Sequence, residues 1–176
     1  MTELEEFRKQ KDIFLGTDRH SPLTARQRKD FKGLEYFPEN PDLRLEVDVE
    51  ELPEKHTVEM QTSTGSVQSY TRYGTFKFNV DGQQAELTLF SDRHGFFLPF
   101  ADALAGKATY GAGRYLEPKQ LPNGRLLVDF NYAYNPYCAY NELFSCPLTP
   151  IENRLKVPIR AGEKLPAGDW LEHKQP

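Results

Sequence analysis

From Leu43 onward the chain alternates. Leu43, Leu45, Val47 and Val49 are apolar, while Arg44, Glu46, Asp48 and Glu50 between them are charged. That is the period of a strand with one buried face, and Pro53 ends it. Further strands are expected over Thr57 to Thr62, Ser66 to Tyr73, Thr75 to Val80 and Gln84 to Phe90, with a Ser-Thr-Gly turn at Ser63 to Gly65. Asp81-Gly82 is the sharpest turn signal, because both residues tolerate the positive φ of a two-residue hairpin. Phe76, Phe78 and Val80 then share one face, as do Ala85, Leu87 and Leu89 on the partner strand, so the two rows should meet in a core.

Before Leu43 the period differs. Thr2 with Glu5 forms a capping-box pattern, followed by Leu4, Phe7 and Phe14 near helical spacing, which predicts a helix up to Gly16. Thr24 with Gln27 repeats the pattern and predicts a short second helix ending at Gly33. Between them, Arg19 to Leu23 reads as an ordered turn. His20-Ser21 makes a poor nucleophile and base pair, since adjacent side chains rarely meet that way and no Gly-x-Ser-x-Gly elbow is present.

In the second half, Phe96 to Phe100 is an apolar run, with a short helical turn expected at Ala101 to Leu104. Ala108 to Leu116 and Arg125 to Tyr134 suggest a late hairpin, and Leu155, Val157 and Ile159 alternate once more. Two N-terminal helices and about eight short strands in hairpin order point to a mainly β fold, a single-domain antiparallel β-barrel-like or sandwich body. The expected division is a helical segment 1–33 packed on a β body 34–164, with a tail 165–176 bearing Trp170 across the surface.

Tyr132 to Arg154 breaks every period. It concentrates Tyr, Asn and Pro and holds both cysteines, Cys138 and Cys146. Too irregular for a helix and too aromatic for an idle linker, it reads as an ordered loop that walls a pocket. Tyr132, Tyr134, Tyr137 and Tyr140 can stack a flat ligand or anchor a core. Seven residues lie between the two thiols, a spacing that fits buried packing, a disulfide or two metal ligands. A zinc site would need two further ligands, and no Cys-x-x-Cys or paired-His spacing supplies them, so no metal is assigned.

Composition narrows the classes. The 176 residues are 38% hydrophobic and 27% charged, with twelve Phe and nine Tyr, which suits a globular domain with a substantial core. A formal charge of -4 offers no excess of cations to neutralise phosphates, which argues against nucleic acid. No apolar run reaches membrane length and the charged start lacks a secretory core, so a cytoplasmic protein with reduced thiols is expected.

The segments LPFADALAGKATYGAGRYLEP and VDFNYAYNPYCAYNELFSCPLTPIENRLKVPIRAGEK, with SPL and FKGLEYFP earlier, resemble one family of small bacterial and archaeal proteins. It is the domain-of-unknown-function family numbered sixteen eighty-four. The resemblance runs from the first helix to Lys164 and implies a self-contained domain with a characteristic Cys-containing loop. It brings no activity, cofactor or catalytic residue.

The candidate ligand-binding residues are therefore chosen by position. His94 follows a strand end and can move a proton with Asp92 orienting it, or both can simply shape a turn. Arg114, Asp129 and Asn131 lie on the late hairpin, where alternation defines two faces and leaves open which is inside. Glu152 and Arg154 close the loop, as general base and anion fork or as partners of its backbone. Tyr134 and Tyr137 supply an aromatic face. The leading expectation is a small-molecule-binding domain with its pocket beside Tyr132 to Arg154. The alternatives are an enzyme, either a flavin-dependent split-barrel oxidoreductase or a hydrolase using His94 and a carboxylate, and a protein-interaction module using the loop as contact surface. No cofactor is identified, and the flavin reading lacks a phosphate-binding signature.

Overall fold

The structure, a computed structural model, describes residues 1–166; of the expected tail 165–176, the part from residue 167 on, Trp170 included, lies outside the described residues. Helix α1 spans Glu3–Thr17 and begins with the expected capping box. Thr2 Oγ1 accepts from the Glu5 amide at 3.1 Å, and the Thr2 amide donates to the Glu5 carboxylate at 2.7 Å. Helix α2, Ala25–Asp30, starts with the Thr24/Gln27 box. It stops at Asp30 rather than reaching Gly33, because Phe31 turns extended and, with Leu34, packs on the small core of Leu15, Leu23 and Tyr140.

Nine strands follow: β1 Arg44–Val47, β2 Glu50–Glu51, β3 Thr57–Gln61, β4 Val67–Val80, β5 Gln83–Asp92, β6 Gly95–Phe100, β7 Arg114–Leu116, β8 Lys119–Gln120 and β9 Leu126–Asp129. All named pairs are antiparallel. One sheet runs β2-β4-β5-β6-β7, with β3 also pairing β4, and a smaller sheet runs β1-β9-β8. Residues of both sheets share a core, in which Leu43 and Val47 meet Phe76, Phe78, Leu98, Val128 and Phe130. The β4–β5 turn has Asp81 at φ 51° and Gly82 at φ 77°, the backbone that the Asp-Gly pair predicts.

Four expectations need correction. The strands expected over Ser66 to Tyr73 and Thr75 to Val80 are one strand, β4, with a register shift between Arg72 and Gly74. Gly74 is no break. A Cβ there would stand 2.6 Å from the Glu50 carbonyl, so glycine lets β2 cross close by. Ala101 to Leu104 is not helical, because its amides pair with the returning chain: Ala101 donates to Asn153 O and Ala103 to Val157 O, each at 3.0 Å. The late hairpin does not form as such. β7 pairs with β6, β9 pairs with β1 and β8, and the backbones of the two expected arms meet at the isolated Tyr115–Tyr134 bridge. Leu155, Val157 and Ile159 keep their alternating burial without belonging to a strand.

That last segment is a strap held by side chains. Arg114, 1% exposed, donates to the carbonyls of Ile159 at 2.9 Å, Ala161 at 2.5 Å and Glu163 at 3.0 Å. Asp102 accepts from the Ile159 amide at 2.8 Å and the Thr109 hydroxyl at 2.7 Å, with its Oδ2 3.9 Å from the guanidinium. Polar side chains here do what a neighbouring strand would do elsewhere. Among the described residues no helix is long and apolar enough to cross a membrane.

Candidate functional site

The Tyr132 to Arg154 segment is ordered, as its composition predicts. Single 3₁₀ turns at Phe130–Tyr132, Tyr137–Ala139 and Ile151–Asn153 punctuate it, the last two opening after Pro136 and Pro150. Its side chains tie it to distant elements. Asn141 donates to Pro22 O at 3.2 Å, and Tyr140 donates to the buried Glu163 carboxylate at 2.9 Å. Cys138 and Cys146 are buried, are not joined in a disulfide, and pack with Met60, Tyr70, Phe90, Phe97 and Tyr115. The Cys138 amide donates to Cys146 Sγ at 3.2 Å. Hydrogen bonding from Cys138 and burial push the Cys146 thiol pKa up, which keeps it protonated at neutral pH. Among the described residues no group of three or more His, Cys, Asp or Glu side chains is placed to hold a metal ion.

Of the eight candidate ligand-binding residues, the structure brings His94 and Tyr134 to one cleft. Arg114 is fully engaged in the strap, where burial pulls its pKa down to about 10 against the opposing fields of Asp102 and Glu163. Asn131 is buried, clasping Asn40: its amide donates to Asn40 O at 2.9 Å and its oxygen accepts from the Asn40 amide at 2.8 Å. Asp129 caps the 3₁₀ turn by accepting from the Asn131 amide at 3.0 Å, and Arg44 lies 3.7 Å away. The open question of faces is thereby answered: Val128 and Phe130 point inward, while the turn removes Asn131 from strand alternation and buries it as well. Tyr137 is exposed, its ring edge-on to Phe144. Glu152 pairs with Arg72, and Arg154 is exposed beside its bridge to Ala101.

Asn153, between those two, directs its side chain away from its own loop to the β5 and β6 backbone. In the β5–β6 ladder Phe90 faces Phe97, so Thr88 and Pro99 would be the facing pair two residues on. Proline has no N–H to give a ladder. The Asn153 amide fills the gap, donating to Thr88 O and Pro99 O and accepting from the Thr88 amide, each at 2.8 Å.

The cleft has a volume of about 520 Å³ and is assembled from four parts of the chain. The β5–β6 hairpin contributes Asp92, His94 and Phe97, the β7–β8 connection Tyr115, Glu117 and Lys119, β4 contributes Tyr70, and the loop contributes Tyr134 and Pro147. Its aromatic wall is continuous. Tyr70 stacks on Phe97 with centroids 5.0 Å apart, Phe97 meets Tyr115 edge-on at 4.9 Å, and Tyr115 meets Tyr134 edge-on at 5.8 Å. The phenols are oriented by hydrogen bonds: Tyr70 donates to Gln68 at 3.0 Å, Tyr115 to Pro147 O and Tyr134 to Glu117. Burial raises the pKa of all three, so they are neutral donors at physiological pH. At the hairpin tip the Asp92 carboxylate accepts from the His94 backbone amide at 2.7 Å, while Arg93 Nε faces His94 Nε2 at 3.2 Å. Asp92 thus shapes the turn and does not orient the imidazole. Tyr70, Phe97, Tyr115 and Glu117 were not foreseen as site residues; Glu117-Pro118 directly after a strand was the one local cue. A second, smaller cleft of about 320 Å³ is lined by Glu46, Asp48, Lys77 and Arg125. There Arg125 lies 3.7 Å from Glu46 and 3.3 Å from Asp48, so its charges largely satisfy one another.

The family model described as "Protein of unknown function (DUF1684)" matches residues 29–164. Among solved structures, an uncharacterized protein of Haloarcula marismortui determined by solution NMR is similar, with 38% identity over 92% of each chain and a TM-score of 0.68. No curated protein matches the chain.

Proposed function

The chain belongs to the DUF1684 family, and because membership assigns no activity, we propose from the geometry that it is a small-molecule-binding domain on a barrel-like antiparallel body. The ligand enters the cleft between the β5–β6 hairpin, the β7–β8 connection and Tyr134. The observation that carries this reading is the cleft itself: about 520 Å³, within the range of ligand pockets, with an aromatic wall and a few polar groups at its rim. A cytoplasmic setting fits, since Cys138 and Cys146 would stay reduced there. The test is a fragment screen by chemical-shift perturbation. Binders should move resonances of His94, Tyr115 and Tyr134, weaken with Tyr134→Ala and be indifferent to Arg154→Ala. Binders that map only elsewhere, or none at all, would overturn the reading.

A second reading rests on a different observation. Leu143 and Ile151 on the loop are 84% and 88% exposed, apolar surface that a partner protein seated on the loop would remove from water. Sedimentation measurements on the wild type and Leu143→Ser distinguish the two: concentration-dependent association lost in the variant favours the contact surface, and a monomer in both removes self-association as its basis.

A further inference from the structure

Building on the cleft as a ligand site, we propose that it selects a small organic cation, of the alkylated-ammonium class. The aromatic wall and the rim charges point the same way. Ring faces attract a cation lying within about 6 Å of the centroid, and quaternary ammonium groups, which cannot donate a hydrogen bond, depend on that attraction. The Tyr70, Tyr115 and Tyr134 hydroxyls are each already donating to a protein acceptor, and with Tyr70, Phe97 and Tyr115 themselves buried, the half-buried Tyr134 ring offers most of the aromatic surface that a guest can touch. One cation already lies over this wall: Lys11 from α1, ion-paired with Glu163, stands 4.9 Å from the Tyr134 centroid.

The charged groups on the cleft are Asp92, Glu117 and Lys119, with His94 at the edge. Two carboxylates thus stand against one ammonium, and both are exposed, where a guest can reach them. Their field is felt at the wall, since after burial the next causes raising the Tyr70 phenol are Asp92 and Glu117. A neutral aromatic guest would use the wall alone, and an anion would meet the carboxylates. A compact cation uses both.

The experiment is an NMR titration of the intact protein with choline and, in parallel, with its neutral carbon isostere dimethylbutanol. Choline should perturb Tyr70, Phe97, Tyr115 and Tyr134 and bind about tenfold more tightly than the isostere, the ratio that a cation–π contribution of ordinary size produces. Glu117→Gln retains an oxygen to accept from Tyr134, and its dispersion spectrum confirms folding. In that variant choline should weaken several-fold and the isostere should be unchanged. Tyr134→Leu, keeping apolar bulk without a ring, should weaken choline alone. Equal or tighter binding of the isostere overturns the cation proposal and leaves the cleft as a binding site. Failure of choline, the isostere and every screened fragment at the cleft overturns both.

Discussion

The strap at Val157 to Glu163 and the rim of the Tyr134 cleft both carry charged side chains and put them to opposite uses. In the strap, Arg114 donates to three backbone carbonyls, Asp102 accepts from the Ile159 amide and the Thr109 hydroxyl, and both are buried. At the rim, Glu117, Lys119 and His94 stand in solvent beside oriented rings. The difference is topological. Where the chain runs as a partner to nothing, as at Ile159, its amides and carbonyls still need acceptors and donors, and buried polar side chains provide them. Where the strands pair, as at the β5–β6 tip, Asp92 alone caps the turn and the His94 side chain is left free of that duty. A polar residue near irregular backbone is therefore more often a brace than a ligand-binding group.

The largest effect should come from breaking the strap. Arg114→Met leaves three buried carbonyls without a donor and removes the cation nearest Asp102, so it should cost about 3–5 kcal/mol of unfolding free energy. Urea denaturation measures it; a loss under about 1 kcal/mol would mean the guanidinium is incidental, and the contrast with the rim would collapse. Next is Asn153→Ala, which strips the Thr88 amide and the Thr88 and Pro99 carbonyls of their partner and should cost about 3 kcal/mol. Asn153→Asp sharpens the point, because a carboxylate cannot donate to those carbonyls and should fail to restore stability.

These braces mark the limit of what could be read from the letters. The capping boxes at Thr2 and Thr24, the Asp81-Gly82 turn and the alternating burial from Leu43 are local and appear where expected, although the single strand expected there is divided between β1 and β2 of different sheets. Their physics spans a few residues. The pairing of β1 with β9 and the contact of Asn153 with Thr88, 65 positions apart, depend on which segments meet, and periodicity says nothing of that. Asn131 shows the same limit at short range, since a 3₁₀ turn right after β9 buries it where strand alternation would put it beside Asp129. Of the cleft, His94 and Tyr134 were legible as candidates because a strand end and a tyrosine cluster are visible signals. Glu117 and Tyr70 were not, as they become neighbours only through the sheet.

Alkaline pH probes both regions at once, with a smaller effect per group. Burial raises the phenol pKa of Tyr36, Tyr110, Tyr115, Tyr134 and Tyr140. A raised folded pKa means that the stabilisation is complete below the unfolded value near 10 and is lost as pH climbs toward the folded one. Stability should hold up to about pH 10 and then fall by about 1.4 kcal/mol per pH unit for each phenol that stays protonated in the fold. Denaturation midpoints across that range, alongside phenolate absorbance, check it. Free ionisation of these phenols in the folded protein, with no loss of stability, would contradict their burial.

The smallest effect belongs to the rim. Glu117 is exposed and its main partner is the Tyr134 hydroxyl, so Glu117→Gln, which retains an acceptor oxygen, should change unfolding free energy by no more than about 0.5 kcal/mol. The same holds for His94→Gln, whose backbone amide keeps its bond to Asp92. Near-silence in stability is the expected signature of side chains that brace nothing, and it permits ligand binding to be measured in variants that are otherwise intact. A loss of more than about 2 kcal/mol in either variant would show that the rim is a brace like the strap. The cleft would then be a gap between structural contacts, with no group left over to recognise a guest.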